Sequence, residues 1–94
     1  MPQIIYTEAF ISDFERLHYF LYEKNPLAAQ KLAKLLEEKL DILATIPKAF
    51  TSFGEFRLYM LEFGSSGYAI LYDYIEDIDQ IIMLRIKHQK EAGF

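Results

Sequence analysis

The apolar residues of this chain keep two different periods, and the change between them falls close to Gly54. Before it, Phe10, Phe14, Leu17 and Leu21 recur at helical spacing while Asp13, Glu15, Arg16 and Glu23 fall elsewhere, which predicts an amphipathic helix. Asn25-Pro26 closes that helix, because the residue before a proline avoids the helical region. The same pair opens a second helix, with Asn25 as N-cap and Pro26 at its first position. From Leu27 to Thr45 there is no glycine or proline, and Ala28, Leu32, Leu35, Leu36 and Leu43 make one apolar stripe that ends before Pro47. So short a connection favours an antiparallel helical hairpin.

From Phe56 the period becomes two. Phe56 to Phe63, Tyr68 to Tyr74 and Gln80 to Ile86 are rich in Leu, Ile, Tyr, Phe and Met. Gly64-Ser65-Ser66-Gly67 and Glu76-Asp77-Ile78-Asp79 separate them, which predicts an antiparallel meander. Gln3 to Tyr6 reads as a further short strand, brief enough to be an edge. Helices placed before strands argue for an α+β domain, a hairpin packed across one face of a mainly antiparallel sheet in the order β-α-α-β-β-β. In the middle strand Tyr68, Ile70, Tyr72 and Tyr74 share one face; in the last, Ile82, Leu84 and Ile86 are expected to alternate with Ile81, Met83, Arg85 and Lys87.

Ninety-four residues suit one domain over 1–94, and 52% hydrophobic residues are enough for a core. The absence of cysteine removes disulfides and thiolate chemistry and fits a reducing cytoplasm. No run of 18 apolar residues or signal-like start is present, so a soluble cytosolic protein without membrane attachment is expected. The formal charge of −4 disfavours broad nucleic-acid binding. Basic charge gathers at the C-terminus, where Arg85, Lys87 and Lys90 surround His88 against the single Glu91.

His18 and His88 lack ligand-spaced partners, so no metal or cofactor is expected. Gly64-Ser65-Ser66-Gly67 lacks the spacing of a phosphate loop, and Ser65 and Ser66 lack a nucleophile elbow. The remaining candidates are Arg57, Arg85, Lys87, His88 and Lys90. Converging in one cleft, arginines and a histidine could stabilise a developing phosphorane and exchange a proton; dispersed on a sheet face, they are interface or surface groups.

Several local strings, in their order and spacing, resemble the RelE/ParE toxin superfamily of bacterial type II toxin-antitoxin modules over nearly the whole chain. They are Asn25-Pro26-Leu27-Ala28-Ala29, Leu40 to Pro47, Phe56-Arg57-Leu58, Tyr68-Ala69-Ile70-Leu71-Tyr72 and Leu84-Arg85-Ile86-Lys87-His88. The resemblance implies a cognate antitoxin as partner, bound by strand addition or by a helix in a groove. Tyr19, Phe20 and Tyr22 on the first helix are candidate antitoxin contacts, unless they cover the sheet.

The superfamily divides into ribosome-dependent mRNA endonucleases and gyrase-poisoning proteins without a nuclease centre. Arg57 matches an arginine common to both branches, and His88 lies near a C-terminal histidine of some nucleases. Ala69, however, stands where those nucleases carry an arginine. With the acidic balance and the lack of a terminal tyrosine, this places the chain closer to the ParE-like branch. The expectation is a non-enzymatic toxin that binds DNA gyrase through Arg57, Arg85, Lys87, His88 and Lys90. The alternatives are an mRNA endonuclease using Arg57, Arg85 and His88, and a relative that has lost toxicity.

Overall fold

The computed structural model describes residues 2–94. Strand β1 (Gln3–Tyr6) leads into helices α1 (Glu8–Lys24) and α2 (Pro26–Thr45), and strands β2 (Thr51–Phe53), β3 (Phe56–Phe63), β4 (Ser66–Ile75) and β5 (Gln80–His88) follow. The Thr7 hydroxyl accepts the Phe10 N–H at 3.1 Å and donates to the Met83 carbonyl at 2.7 Å, so one side chain both caps α1 and ties its start to β5. Asn25 is the single residue between the helices. Its N–H donates to Leu21 O at 2.8 Å to close α1, and its Oδ1 accepts the Ala28 N–H at 3.1 Å to open α2. The expected hairpin therefore forms, and no helix among the described residues is long and apolar enough to cross a membrane.

The five strands lie in the order β1-β5-β4-β3-β2. β1 is the expected edge strand and runs parallel to β5; the other pairs are antiparallel. The architecture is the α+β arrangement read from the sequence, with one strand more. β2 has only three residues, all exposed, and carries no alternation to mark it. It pairs with β3 through a two-residue turn, Gly54-Glu55, where Gly54 takes a φ of +62°. Gly64-Ser65 turns the next hairpin in the same way, with Gly64 at +61°, so β4 begins at Ser66 rather than Tyr68.

The core lies between the hairpin and one sheet face. Leu32 and Leu43 of α2 meet Leu61, Ile70, Tyr72, Ile81, Met83 and Ile86, all fully buried. The expected facing of β5 needs correction. Leu71 pairs with Arg85 but Tyr72 with Met83, so Leu84 is an extra residue in the ladder. This bulge switches which residues face the helices, and Ile81 and Met83 are buried before it while Ile86 is buried after it.

The strands approach closely at Gly67, where a Cβ would fall 2.9 Å from the backbone oxygen of Leu61. Gly67→Ala is expected to lower stability by about 1–3 kcal/mol through this overpacking, visible as a lower urea midpoint with an unchanged slope. An unchanged midpoint would mean that the β3–β4 pair can spread without cost.

Candidate functional site

The most heavily built feature lies along β5 beyond Met83. β1 pairs only with Gln80–Met83, so the rest of that edge needs other partners for its backbone. Helix α1 supplies them. Asp13 is the one buried charged residue among those described, at 7% exposure. Its Oδ2 accepts the Ile86 N–H at 3.1 Å and Arg85 Nε at 2.6 Å, while Oδ1 accepts Arg85 Nη2 at 3.0 Å.

Two residues further on, the His88 N–H donates to Glu91 Oε1 at 2.9 Å, and Arg16 of α1 holds the same carboxylate at 2.9 and 3.4 Å. Burial opposes ionisation of both acids. For Asp13, hydrogen bonds from Arg85 and Ile86 with the charges of Arg85 and Arg16 outweigh it and hold the pKa low. For Glu91, the His88 N–H and Arg16 do the same.

Of the cations expected to act together, Arg85 is thus engaged by Asp13, although its side chain stays 53% exposed. Lys87 Nζ donates to Glu91 O at 2.9 Å and lies 5.2 Å from the Phe94 ring centroid. His88 Nδ1 accepts the Lys90 N–H at 3.2 Å, and Nε2 lies 2.6 Å from Ser66 Oγ. The first bond assigns the proton of a neutral ring to Nε2, so Ser66 is the acceptor and is not activated by this histidine. Lys90 is exposed.

Arg57 stands apart. It pairs in register with Tyr72, whose side chain is buried on the helix-facing side, whereas Arg85 pairs with Leu71 on the opposite face. Its Nη1 donates to Phe50 O at 2.9 Å, close to where the Tyr72 hydroxyl donates to Pro47 O at 2.7 Å. Both side chains therefore fasten the segment between α2 and β2. Burial pushes the Tyr72 hydroxyl up to about 12, with the charge of Arg57 pulling the other way. The depression beside Arg57, about 400 Å³, brings Lys48 together with Glu55, Asp73 and Glu76. Lys48 is itself paired with Glu76 at 2.7 Å. The five cations expected at the site therefore do not make one surface, because Arg57 is fastened to Phe50 O beside β2 at one end of the sheet and Arg85 to Asp13 at the β5 edge beside α1.

Tyr19, Phe20 and Tyr22 do not cover the sheet; they are 63%, 60% and 54% exposed. Tyr22 lines a groove of about 390 Å³ between the helices with His18, Pro26, Leu27, Gln30 and Ala33. Tyr19 and Tyr22 continue it into a shallow depression with Glu15, Arg16 and His18. Phe20 lies outside both, with Lys24 Nζ 4.2 Å from its ring centroid. Sequence reasoning missed Asp13, Arg16 and Glu91. For Asp13 a signal existed: a carboxylate three residues after Phe10 and four before Leu17 sits inside the buried stripe.

Comparison with known proteins agrees with this architecture. The family described as "ParE toxin of type II toxin-antitoxin system, parDE" matches residues 4–93. A curated relative, "Toxin RelE1" of Caulobacter vibrioides, is 43% identical over 61 residues, covering 64% of this chain and 66% of the relative, just under two thirds of its length. The crystal structure of the intact E. coli RelBE toxin-antitoxin complex contains a chain of the same fold, with a TM-score of 0.65 and 17% identity over 97% of this chain and 100% of that one. With a family match that spans nearly every residue from β1 to the end of the described chain, this protein belongs to the ParE toxin family of type II toxin-antitoxin systems.

Proposed function

We propose that this chain acts by binding a macromolecular target, DNA gyrase, rather than by catalysis, and that a cognate antitoxin neutralises it. The observation that carries this reading is the dispersal of the cations. A nuclease centre needs cations and a proton carrier around one scissile phosphate. Here Arg57 is tied to Phe50 O beside β2, while Arg85 is tied to Asp13 of α1 at the β5 edge, three strands away in the sheet. His88 is held between Ser66 and the Lys90 N–H, and the methyl side chain of Ala69 offers no hydrogen bond. The depression beside Arg57 has three carboxylates against two cations, which repels a phosphodiester. Lys87 on the side away from the helices, Arg85 where Asp13 of α1 holds it beside the β5 edge, and Lys90 beyond the strand end remain as target contacts, with Arg57 and His88 supporting their surroundings.

The antitoxin docks as a helix in the groove at Tyr22, with Tyr19 beside it. Strand addition along β5 is less suited, because Asp13 and Glu91 already take the Ile86 and His88 N–H groups.

A second reading, ribosome-dependent mRNA cleavage, is favoured by the 43% identity to the relative named Toxin RelE1. The two separate in one pair of assays. Purified protein is expected to block supercoiling of relaxed plasmid by gyrase, with relief on adding antitoxin, and to leave message intact in a translating extract. Unimpaired supercoiling together with cleavage that His88→Ala abolishes would transfer the assignment to the nuclease. Expression without antitoxin should arrest growth; continued growth would favour a relative that has lost toxicity.

A further inference from the structure

The sheet face turned away from the helices has no helix of its own. Across its middle run two rows, Leu58–Leu71–Arg85 and Met60–Ala69–Lys87. Ala69, the shortest side chain in the second row, leaves a depression of about 230 Å³ lined by Phe53, Leu58, Met60, Lys87 and Phe94. An apolar cavity of about 150 Å³ already accepts a benzene ring.

The segment after β5 is folded back toward this depression. The Gln89 N–H donates to Gly67 O at 3.0 Å, the Glu91 N–H to His88 O at 2.9 Å, and the Glu91 side chain is pinned by Arg16. Gly93 then takes a φ of +111°, a conformation that favours glycine, and Phe94 comes to the rim with Lys87 Nζ 5.2 Å from its ring centroid. Phe94 is 40% exposed and Met60 52%, yet Ala69 between them is only 5% exposed. The ring therefore sits at the mouth of the depression and leaves it incompletely filled.

We infer that this depression is an anchor site for an aromatic side chain of a protein partner, and that Phe94 obstructs its mouth in the free chain. The lining decides the class of ligand. Phe53, Leu58, Met60 and Ala69 offer apolar contact, and the amine of Lys87 lies over the ring position, where a cation attracts a π face. Lys87 is the one cation in the lining and spends one of its three donors on Glu91 O, so the depression offers a phosphodiester a single point charge and no donor fork, and a nucleic acid is the poorer fit. An aromatic anchor in such a pocket is the kind of contact that dominates protein interfaces. Phe94 lowers the apparent affinity of the partner according to the fraction of time that it blocks the mouth. The inference does not depend on which target the toxin binds.

The test uses the full chain labelled at Ala and Met methyl groups, with N-acetylphenylalaninamide as the probe. Phe94→Ala is expected to move the Ala69 and Met60 methyl resonances by removing the ring current. The probe should then move them back saturably, with an apparent affinity about tenfold higher than for the unmodified chain, as for a mouth blocked about nine-tenths of the time. Ala69→Leu fills the depression and Met60→Lys, at an exposed position, charges its rim; each should abolish the probe's effect, and the second covers the case in which the first does not fold. Methyl resonances that ignore Phe94→Ala, equal probe affinity with and without Phe94, or probe binding that survives both blocking variants would overturn the inference. So would loss of the ring-current shift on dilution, which would make a second copy the source of the ring.

Discussion

Asp13→Ala is expected to lower the free energy of unfolding by about 3 kcal/mol, a large fraction of the total for a domain of this size. The reason is the number of groups that one carboxylate satisfies. Removing it strands the Ile86 N–H inside the structure, and an unsatisfied buried donor costs about 1–3 kcal/mol. It also releases Arg85 and detaches α1 from the part of β5 that no strand covers. Asp13→Asn separates these contributions: its amide oxygen can still accept from Ile86, but its –NH₂ meets the guanidinium donors.

The pH dependence has a definite sign. Because the folded state holds the Asp13 pKa below its ordinary 3.8, the carboxylate stabilises the fold fully above that value, and the contribution drains away as pH falls through the lower folded value. Urea unfolding followed from neutral to acid pH should show the wild type and Asp13→Asn converging at the acid end. Parallel curves down to the lowest accessible pH would place the effect in packing rather than in charge. Glu91 is lowered in the same direction and steepens the same acid limb, so the comparison is best repeated with Glu91→Gln in both backgrounds.

The parts of this molecule that local chemistry dictates are legible in the amino-acid sequence. Phe10, Phe14, Leu17 and Leu21 all turn inward, and Asn25-Pro26 makes the reversal between helices because capping and φ restriction act within a few residues. The site was not legible to the same depth. Which face a strand residue takes depends on a parity that a single inserted residue reverses, and β5 is apolar on both sides from Ile81 to Leu84, so nothing in the string marks Leu84 as extra. Asp13 and Arg85 are 72 residues apart, and no short-range pattern pairs them. Arg57 was readable as a singular cation in an acidic stretch, yet its bond to Phe50 O depends on a three-residue strand with no period. The basic tail was legible in composition, but its arrangement follows from Glu91, the lone acid within it.

Under the proposed function, the double variant Tyr19→Ala/Tyr22→Ala is expected to weaken antitoxin binding by at least about 100-fold, or about 3 kcal/mol, while growth arrest persists and antitoxin no longer relieves it. Tyr22 lines the groove between the helices and Tyr19 the shallow depression on α1 that adjoins it, and each offers a broad apolar ring with a polar tip at little rotamer cost. Their exposure, 63% and 54%, means that truncation removes little from the core, so the thermal midpoint should stay close to that of the wild type. Phe20→Ala is the control, because Phe20 is as exposed as they are but lies outside the groove under Lys24. Its effect on antitoxin affinity should stay within about threefold, the scale of a side chain outside the energetic centre of an interface. Calorimetry of the three proteins against the antitoxin decides the matter: a loss for Phe20→Ala equal to that of the double variant, or wild-type affinity in the double variant, would remove the groove as the docking surface and leave aromatic exposure on α1 without this role.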